Sequence, residues 1–254
     1  MLNDEEKVIA DEDPVPTSAP KIKFHKEKSA KNVIRDFWNS ISYAVIPFAC
    51  IVLAIIVSWL GNQLFGSTTG MQPNLPIDEK IPFVSWFVTF YFFCFPMCVV
   101  AYFVLARKSK ARTFDITAAI IICYIISGFV YALAPTEFPL EWKYSFMPEN
   151  MNFFDKWVWN TWHTGLPTCL LPSQHCLMAI ACVITVVDSK CNHWYRWFMI
   201  IFNIGVVLAT VFLKQHFILD FFSSLGILTI TYLILRLCRF GERVEHKIFD
   251  RKKK

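Results

Sequence analysis

The sequence predicts an all-α fold, an integral membrane bundle of six transmembrane helices with both termini cytoplasmic. Three observations carry this reading. Of 254 residues, 55% are hydrophobic and 17% aromatic. Apolar runs near the roughly 20 residues needed to cross a bilayer recur along most of the chain. Lysines and arginines crowd alternate connecting segments and thin out in the others, as expected when basic loops stay on the cytoplasmic side.

Taken in order, residues 1–38 are polar, with acids clustered before Pro14 and bases after Pro20, and they lack the apolar core of a cleavable signal peptide. They read as a flexible cytoplasmic tail. The membrane domain, 39–240, divides into spans at about 41–65, 83–106, 115–134, 174–188, 196–214 and 217–238. The fourth is short, which places its first residues slightly inside the bilayer plane. Residues 241–254 form a basic cytoplasmic tail ending in Arg251, Lys252, Lys253 and Lys254, most simply an inside anchor, though such tails also attract anionic lipid or resemble retrieval signals.

The bases set the orientation. Lys21, Lys23, Lys26, Lys28, Lys31 and Arg35 precede the first span. Arg107, Lys108, Lys110 and Arg112 separate the second from the third, and Arg236, Arg239, Arg243 and Lys247 stand at and beyond the end of the sixth. The alternate segments carry only Lys80, or Lys143 and Lys156 against Glu137, Glu141, Glu149 and Asp155. Six spans with both ends inside satisfy these segments, and a shift by one span breaks the pattern repeatedly. The net charge of +5 therefore reports topology, and nucleic acid is excluded as a partner; the partner is the membrane bilayer. Of nine cysteines, Cys50, Cys94, Cys98, Cys123, Cys182 and Cys238 lie inside apolar runs, where a thiol acts as a small hydrophobe.

Two polar stretches interrupt this pattern, LLPSQHC at 170–176 and TVFLKQHFILD at 210–220. On the topology above, His175 opens the fourth span and His216 closes the fifth, so both imidazoles reach the non-cytoplasmic face. A single interfacial histidine is ordinarily an anchor, but ionisable groups at membrane depth mark function when they cluster. Asp220 follows His216 by four residues, one turn away if the segment is helical, where its carboxylate can fix the imidazole tautomer. Pro172, Ser173 and Gln174 open an incoming helix whose free N–H groups suit an anion. A histidine with its carboxylate, a second histidine, a hydroxyl and a helix N-terminus on one face point to phosphoryl transfer.

These residues resemble the type 2 phosphatidic acid phosphatase superfamily, in the branch that includes inositol phosphorylceramide synthase-like proteins. PSQH at 172–175 is similar to the second signature of that family, and ATVFLKQHFILD at 209–220 to its third, with the His and Asp spacing kept. The resemblance covers roughly 80 to 238. It implies a six-helix bundle and a lipid phosphate or diphosphate substrate. His216 would be the nucleophile forming a phosphohistidine, Asp220 would orient it, His175 would be the acid, and Ser173, Gln174 and Lys214 would bind the phosphate. It implies no cofactor and no metal.

The departures fall on the cations. Thr210 holds the arginine position of the third signature, with Lys214 read as a substitute one helical turn nearer His216. The first signature is effectively absent, YALAPTEFP at 131–139 placing Tyr131 and Phe138 where bases belong. Lys143 and Lys156 are the remaining outer-face cations that could swing in. Two readings follow: a lipid phosphatase or phospho-headgroup transferase, or a degenerate relative that binds lipid or a partner without turnover. A rhomboid-like serine protease fails, because no Gly-x-Ser-x-Gly surrounds Ser173. Substrate lipid, hydrolysis against transfer, resident membrane and oligomeric state depend on pocket shape and cellular context rather than on these motifs. The aromatic residues of 142–162 read as an interfacial belt, with a lid over the bilayer where a lipid tail enters as the alternative, and His163 reads as an anchor rather than a third catalytic group.

Overall fold

A computed structural model describes residues 30–65, 69–164, 168 and 170–249. Among them the chain is helical, joined by turns and two isolated bridges, Met71 with Thr136 and Glu137 with Thr168. The helices are α1 (Ala30–Phe65), α2 (Pro76–Lys80), α3 (Val88–Ala106), α4 (Lys110–Leu133) and α5 (Leu140–Ser145), then α6 (Phe153–Thr164), α7 (Gln174–Asp188), α8 (His193–Phe212), α9 (Ile218–Leu237) and α10 (Phe240–Phe249).

Five stretches, in α1, α3, α4, α8 and α9, are long and apolar enough to cross a bilayer, the pattern of a multi-pass membrane protein. The fourth of the six expected spans is α7, apolar but only 15 residues long, so it rises about 22 Å against a hydrocarbon core of about 30 Å. Its position in the bundle is central. α7 packs against α3, α4, α8 and α9, and Cys176, Leu177, Ala179, Ala181, Cys182 and Val186 are all buried. A central helix meets protein rather than lipid, so its length need not match the bilayer.

Several boundaries differ from the sequence reading. α1 begins at Ala30, so part of the expected 1–38 tail is helical, and residues 1–29 lie outside the described residues. The expected C-terminal tail is helical through Phe249 and folds back on α4. There Gly241 is obligatory, because a Cβ would sit 2.0 Å from Ala111 O, and its N–H donates to Asp115 Oδ1 at 2.7 Å. Asp188, at the far end of α7, bonds Tyr232 and pairs with Arg236 at 3.2 Å and Arg112 at 3.6 Å. This ionic cluster closes the end opposite the two histidine motifs.

The aromatic segment 142–162 packs in part against the bundle. Phe153 is 72% exposed, but Trp162 is buried and its Nε1–H donates to Leu213 O at 3.0 Å. α6 is thereby fastened to the chain between α8 and α9, one residue before Lys214. His163 is bonded to Tyr144 Oη and Trp159 O.

Candidate functional site

The start of α7 and the α8–α9 connection meet at one end of the bundle. The His175 and His216 ring centroids lie 6.5 Å apart, tilted by 51°. His175 is held by stacking on Tyr91, centroids 3.8 Å apart, and by the edge of Phe95 at 5.1 Å. His216 is 8% exposed, and its Nδ1 lies 3.1 Å from Asp220 Oδ2. The acceptor is a carboxylate, so Nδ1 carries the proton and Nε2 keeps its lone pair.

The reason His216 and Asp220 meet differs from the helical spacing expected of them. α8 ends at Phe212 and α9 starts at Ile218, leaving His216 in the turn between them. Asp220 is the third residue of α9, where its Oδ2 also accepts from Phe217 N–H at 3.0 Å and caps the helix. One carboxylate oxygen therefore holds both the helix start and the imidazole. The turn is closed from the other side by Thr210, buried in the arginine position, whose carbonyl accepts from the backbone N–H groups of Gln215 and His216, each at 3.0 Å. Gln215 Nε2 and Asp220 Oδ1 are buried without a hydrogen-bond partner among the described residues.

Lys214 is displaced from its expected place. It lies beyond the end of α8 with φ of 53°, so no helical face carries it toward His216. Its ammonium donates to Asp78 O at 3.0 Å and Ile81 O at 2.6 Å, and lies 4.4 Å from the Phe146 ring centroid. Burial pushes its pKa down, opposed by the charge of Asp78. Lys214 ties the α2 segment to the α8–α9 turn. Asp78 completes this tie, its carboxylate accepting from Leu75 N–H at 2.7 Å and Ile218 N–H at 2.9 Å. Asp78 lies in neither histidine motif, although Pro76 followed by an acid two residues later is a recognisable helix start.

At the other motif, Ser173 is the N-cap of α7, its Oγ accepting from Cys176 N–H at 3.3 Å. Gln174 turns its amide away to donate to Ser58 Oγ of α1 at 3.1 Å, leaving only its backbone N–H in the first turn of α7. The segment that replaces the first signature holds these pieces together. Tyr131 Oη donates to Pro172 O at 2.5 Å, and Thr136 Oγ1 accepts from Leu170 and Leu171 N–H at 3.3 and 3.0 Å. Phe138 stacks on Phe217, the residue after His216, with centroids 4.7 Å apart. Tyr131 and Phe138 thus do scaffolding where cations were sought.

The two lysines of the segment between α4 and α7 divide sharply. Lys156 is exposed. Lys143 is buried at 3% exposure, and its ammonium has no hydrogen bond or ion pair among the described residues. It sits 5.4 Å from the Phe138 ring centroid, on the aromatic group that abuts the His216 turn. Burial lowers its pKa to about 7. No group of three His, Cys, Asp or Glu side chains among the described residues could hold a metal ion.

A family model described as the PAP2 superfamily matches residues 71–234, a range that includes both histidine motifs, Asp78 and Lys143. Neither a curated protein nor a solved structure matches the chain significantly.

Proposed function

Because the chain belongs to the type 2 phosphatidic acid phosphatase (PAP2) superfamily, we propose that it hydrolyses a lipid phosphate or diphosphate, or transfers its phospho-headgroup, through a phosphohistidine at His216. The observation that carries this reading is the buried His216–Asp220 pair, 3.1 Å between atoms, with the His175 ring 6.5 Å from that of His216. His216 Nε2 attacks phosphorus as the bond from phosphorus to the lipid oxygen breaks. Protonated His175 gives its proton to the departing alkoxide, and Asp220 stabilises the charge that grows on His216. Water or an acceptor alcohol then displaces phosphorus from the imidazole, His175 taking up the proton.

Charge on the phosphoryl oxygens needs donors preset around it. Backbone N–H groups at the start of α7 and the Ser173 hydroxyl supply some, and the Gln215 amide, unpartnered among the described residues, supplies another. We assign the missing cation to Lys143, buried and without a hydrogen bond or ion pair among the described residues, rather than to Lys214, whose ammonium already serves two carbonyls. The membrane reading is six spans with α7 as the fourth, both termini cytoplasmic and the site on the extracellular or lumenal side; the loop distribution of Lys and Arg supports it.

One observation favours the second reading, a binder without turnover. Thr210, Tyr131 and Phe138 occupy the positions of signature bases and are engaged in structural contacts. The discriminating experiment is phosphate release from a panel of lipid phosphates and diphosphates by the detergent-purified protein, without added metal, comparing wild type with His216→Ala. Release that disappears in the variant supports the enzyme. No release from any lipid, with inositol- and choline-type acceptors also supplied, supports the binder.

A further inference from the structure

Proton donation requires a charged His175, and His175 lacks the carboxylate that His216 has. Among the described residues no hydrogen bond reaches its ring and no carboxylate touches it. Its neighbours are aromatic. Tyr91 and Phe95 stand four residues apart on one face of α3. Tyr91 lies nearly parallel to the imidazole, at 20° with centroids 3.8 Å apart, and Phe95 meets it steeply, at 71° and 5.1 Å. Stacking of this kind covers the flat face of His175 and leaves its rim, where both nitrogens lie, free to meet a substrate oxygen.

Tyr91 is itself braced. It packs on Val88, Val158, Trp162, Ala209 and Leu213, the group through which α6 is fastened to the end of α8. Its hydroxyl makes no hydrogen bond among the described residues, so the aromatic face is what it offers to His175. That face is electron-rich, and it stabilises a cation within about 6 Å of the ring centroid, more strongly where water is excluded.

The other titratable and charged groups around His175 are engaged elsewhere or carry the wrong charge. His216 lies across the gap at 6.5 Å, and Asp220 is taken up by His216 and Phe217 N–H. From α3 the Cys94 thiol donates to the His175 carbonyl at 3.9 Å, and on α7 the Cys176 thiol pairs with Thr210 of α8 at 3.6 Å. From α4, Tyr131 is bonded to Pro172 O. Lys143 and Lys214 lie against the rings of Phe138 and Phe146.

We propose that Tyr91 is a positioning residue for proton donation: its ring face stabilises the imidazolium of His175 where a carboxylate is missing, and fixes the plane in which the N–H points. The assignment rests on the phosphoryl-transfer reading above for the destination of that proton.

The first measurement is independent of turnover. Full-length protein with isotope-labelled histidine rings is titrated by NMR in detergent, the His175 signal being the one lost in His175→Gln. Tyr91→Phe keeps the aromatic face and should leave the titration midpoint unchanged. Trifluorophenylalanine at the same position keeps the ring's shape but withdraws its electron density, and should lower the midpoint by about 0.4–1.5 pH units, as should Tyr91→Leu. A midpoint that moves in neither protein overturns the proposal. The second measurement is phosphate release from a lipid phosphate across pH. In the fluorinated protein the alkaline limb of kcat/KM should move down by the same interval, giving roughly 2- to 30-fold less release above the limb. An analogue whose leaving oxygen is a nitrophenolate needs no proton and should keep the wild-type rate. An unmoved limb, or equal loss on both substrates, would make Tyr91 a structural prop only and overturn its role in donation. A shifted titration with no phosphate release by the wild type would remove the enzymatic reading and leave the effect of Tyr91 on His175 standing.

Discussion

Replacing Asp220 by asparagine separates its two tasks. The carboxylate is fully buried and its Oδ2 accepts from both Phe217 N–H and His216 Nδ1–H. Asparagine keeps an oxygen that can cap α9, but it removes the charge and can turn an N–H toward His216, forcing the imidazole proton onto Nε2, the atom that must attack. A hydrogen bond to a charged group contributes about 1.5–3 kcal/mol. At tenfold per ~1.4 kcal/mol, its loss should lower kcat/KM by roughly 10- to 150-fold. Tautomer reversal deepens the loss, toward the ~10⁴ of the corresponding change in a serine protease triad. Asp220→Ala loses the cap as well, a further cost of about 1 kcal/mol and a Tm drop of roughly 2–4 °C. The assay is phosphate release alongside thermal unfolding followed by tryptophan fluorescence. Asp220→Asn with native Tm and undiminished kcat/KM would refute the orienting role.

Lys143→Met should reduce phosphate release and raise KM, and in the wild type substrate binding should weaken as pH rises through about 7, where the buried ammonium loses its proton. Because its folded pKa lies below the ordinary 10.5, the unfolded chain holds more protons between those values. Wild-type stability should therefore rise with pH across that window, and Lys143→Met should flatten the rise in denaturant titrations at pH 7 to 10. Lys214→Met should leave the carbonyls of Asp78 and Ile81 unpaired, at about 1–3 kcal/mol each, so chemical denaturation should show a loss of about 2–6 kcal/mol. Gly241→Ala forces a Cβ onto Ala111 O; limited proteolysis should then cut within 239–249 while phosphate release, set by the opposite end of the bundle, stays at the wild-type rate.

The long apolar helices were readable because a bilayer imposes their length and composition directly. The helix start at Ser173 and the meeting of His175 with His216 followed from motif spacing and alternating loop charge. What sequence could not convey was the path between α8 and α9. A left-handed residue at Lys214 ends the helical register, so a lysine placed on the face of His216 by periodicity instead reaches carbonyls more than a hundred residues away in sequence. The same holds for Tyr131 and Phe138, which in sequence only stand where signature bases belong, and for Trp162 of the aromatic belt: each becomes a scaffold only through a distant partner at Pro172, Phe217 or Leu213. Sequence offers Lys143 and Lys156 alike; burial, with no ion pair among the described residues, is what separates Lys143 from the exposed Lys156.

The central claim is a covalent bond between phosphorus and His216, and trapping it is the direct measurement. Purified protein is mixed with a lipid phosphate radiolabelled at phosphorus, quenched in alkali within milliseconds, and the labelled residue is mapped by peptide sequencing. The account predicts alkali-stable, acid-labile label on His216, abolished in His216→Ala and reduced in Asp220→Asn. Phosphate release without any protein-bound label at His216, or label that persists in His216→Ala, would contradict it.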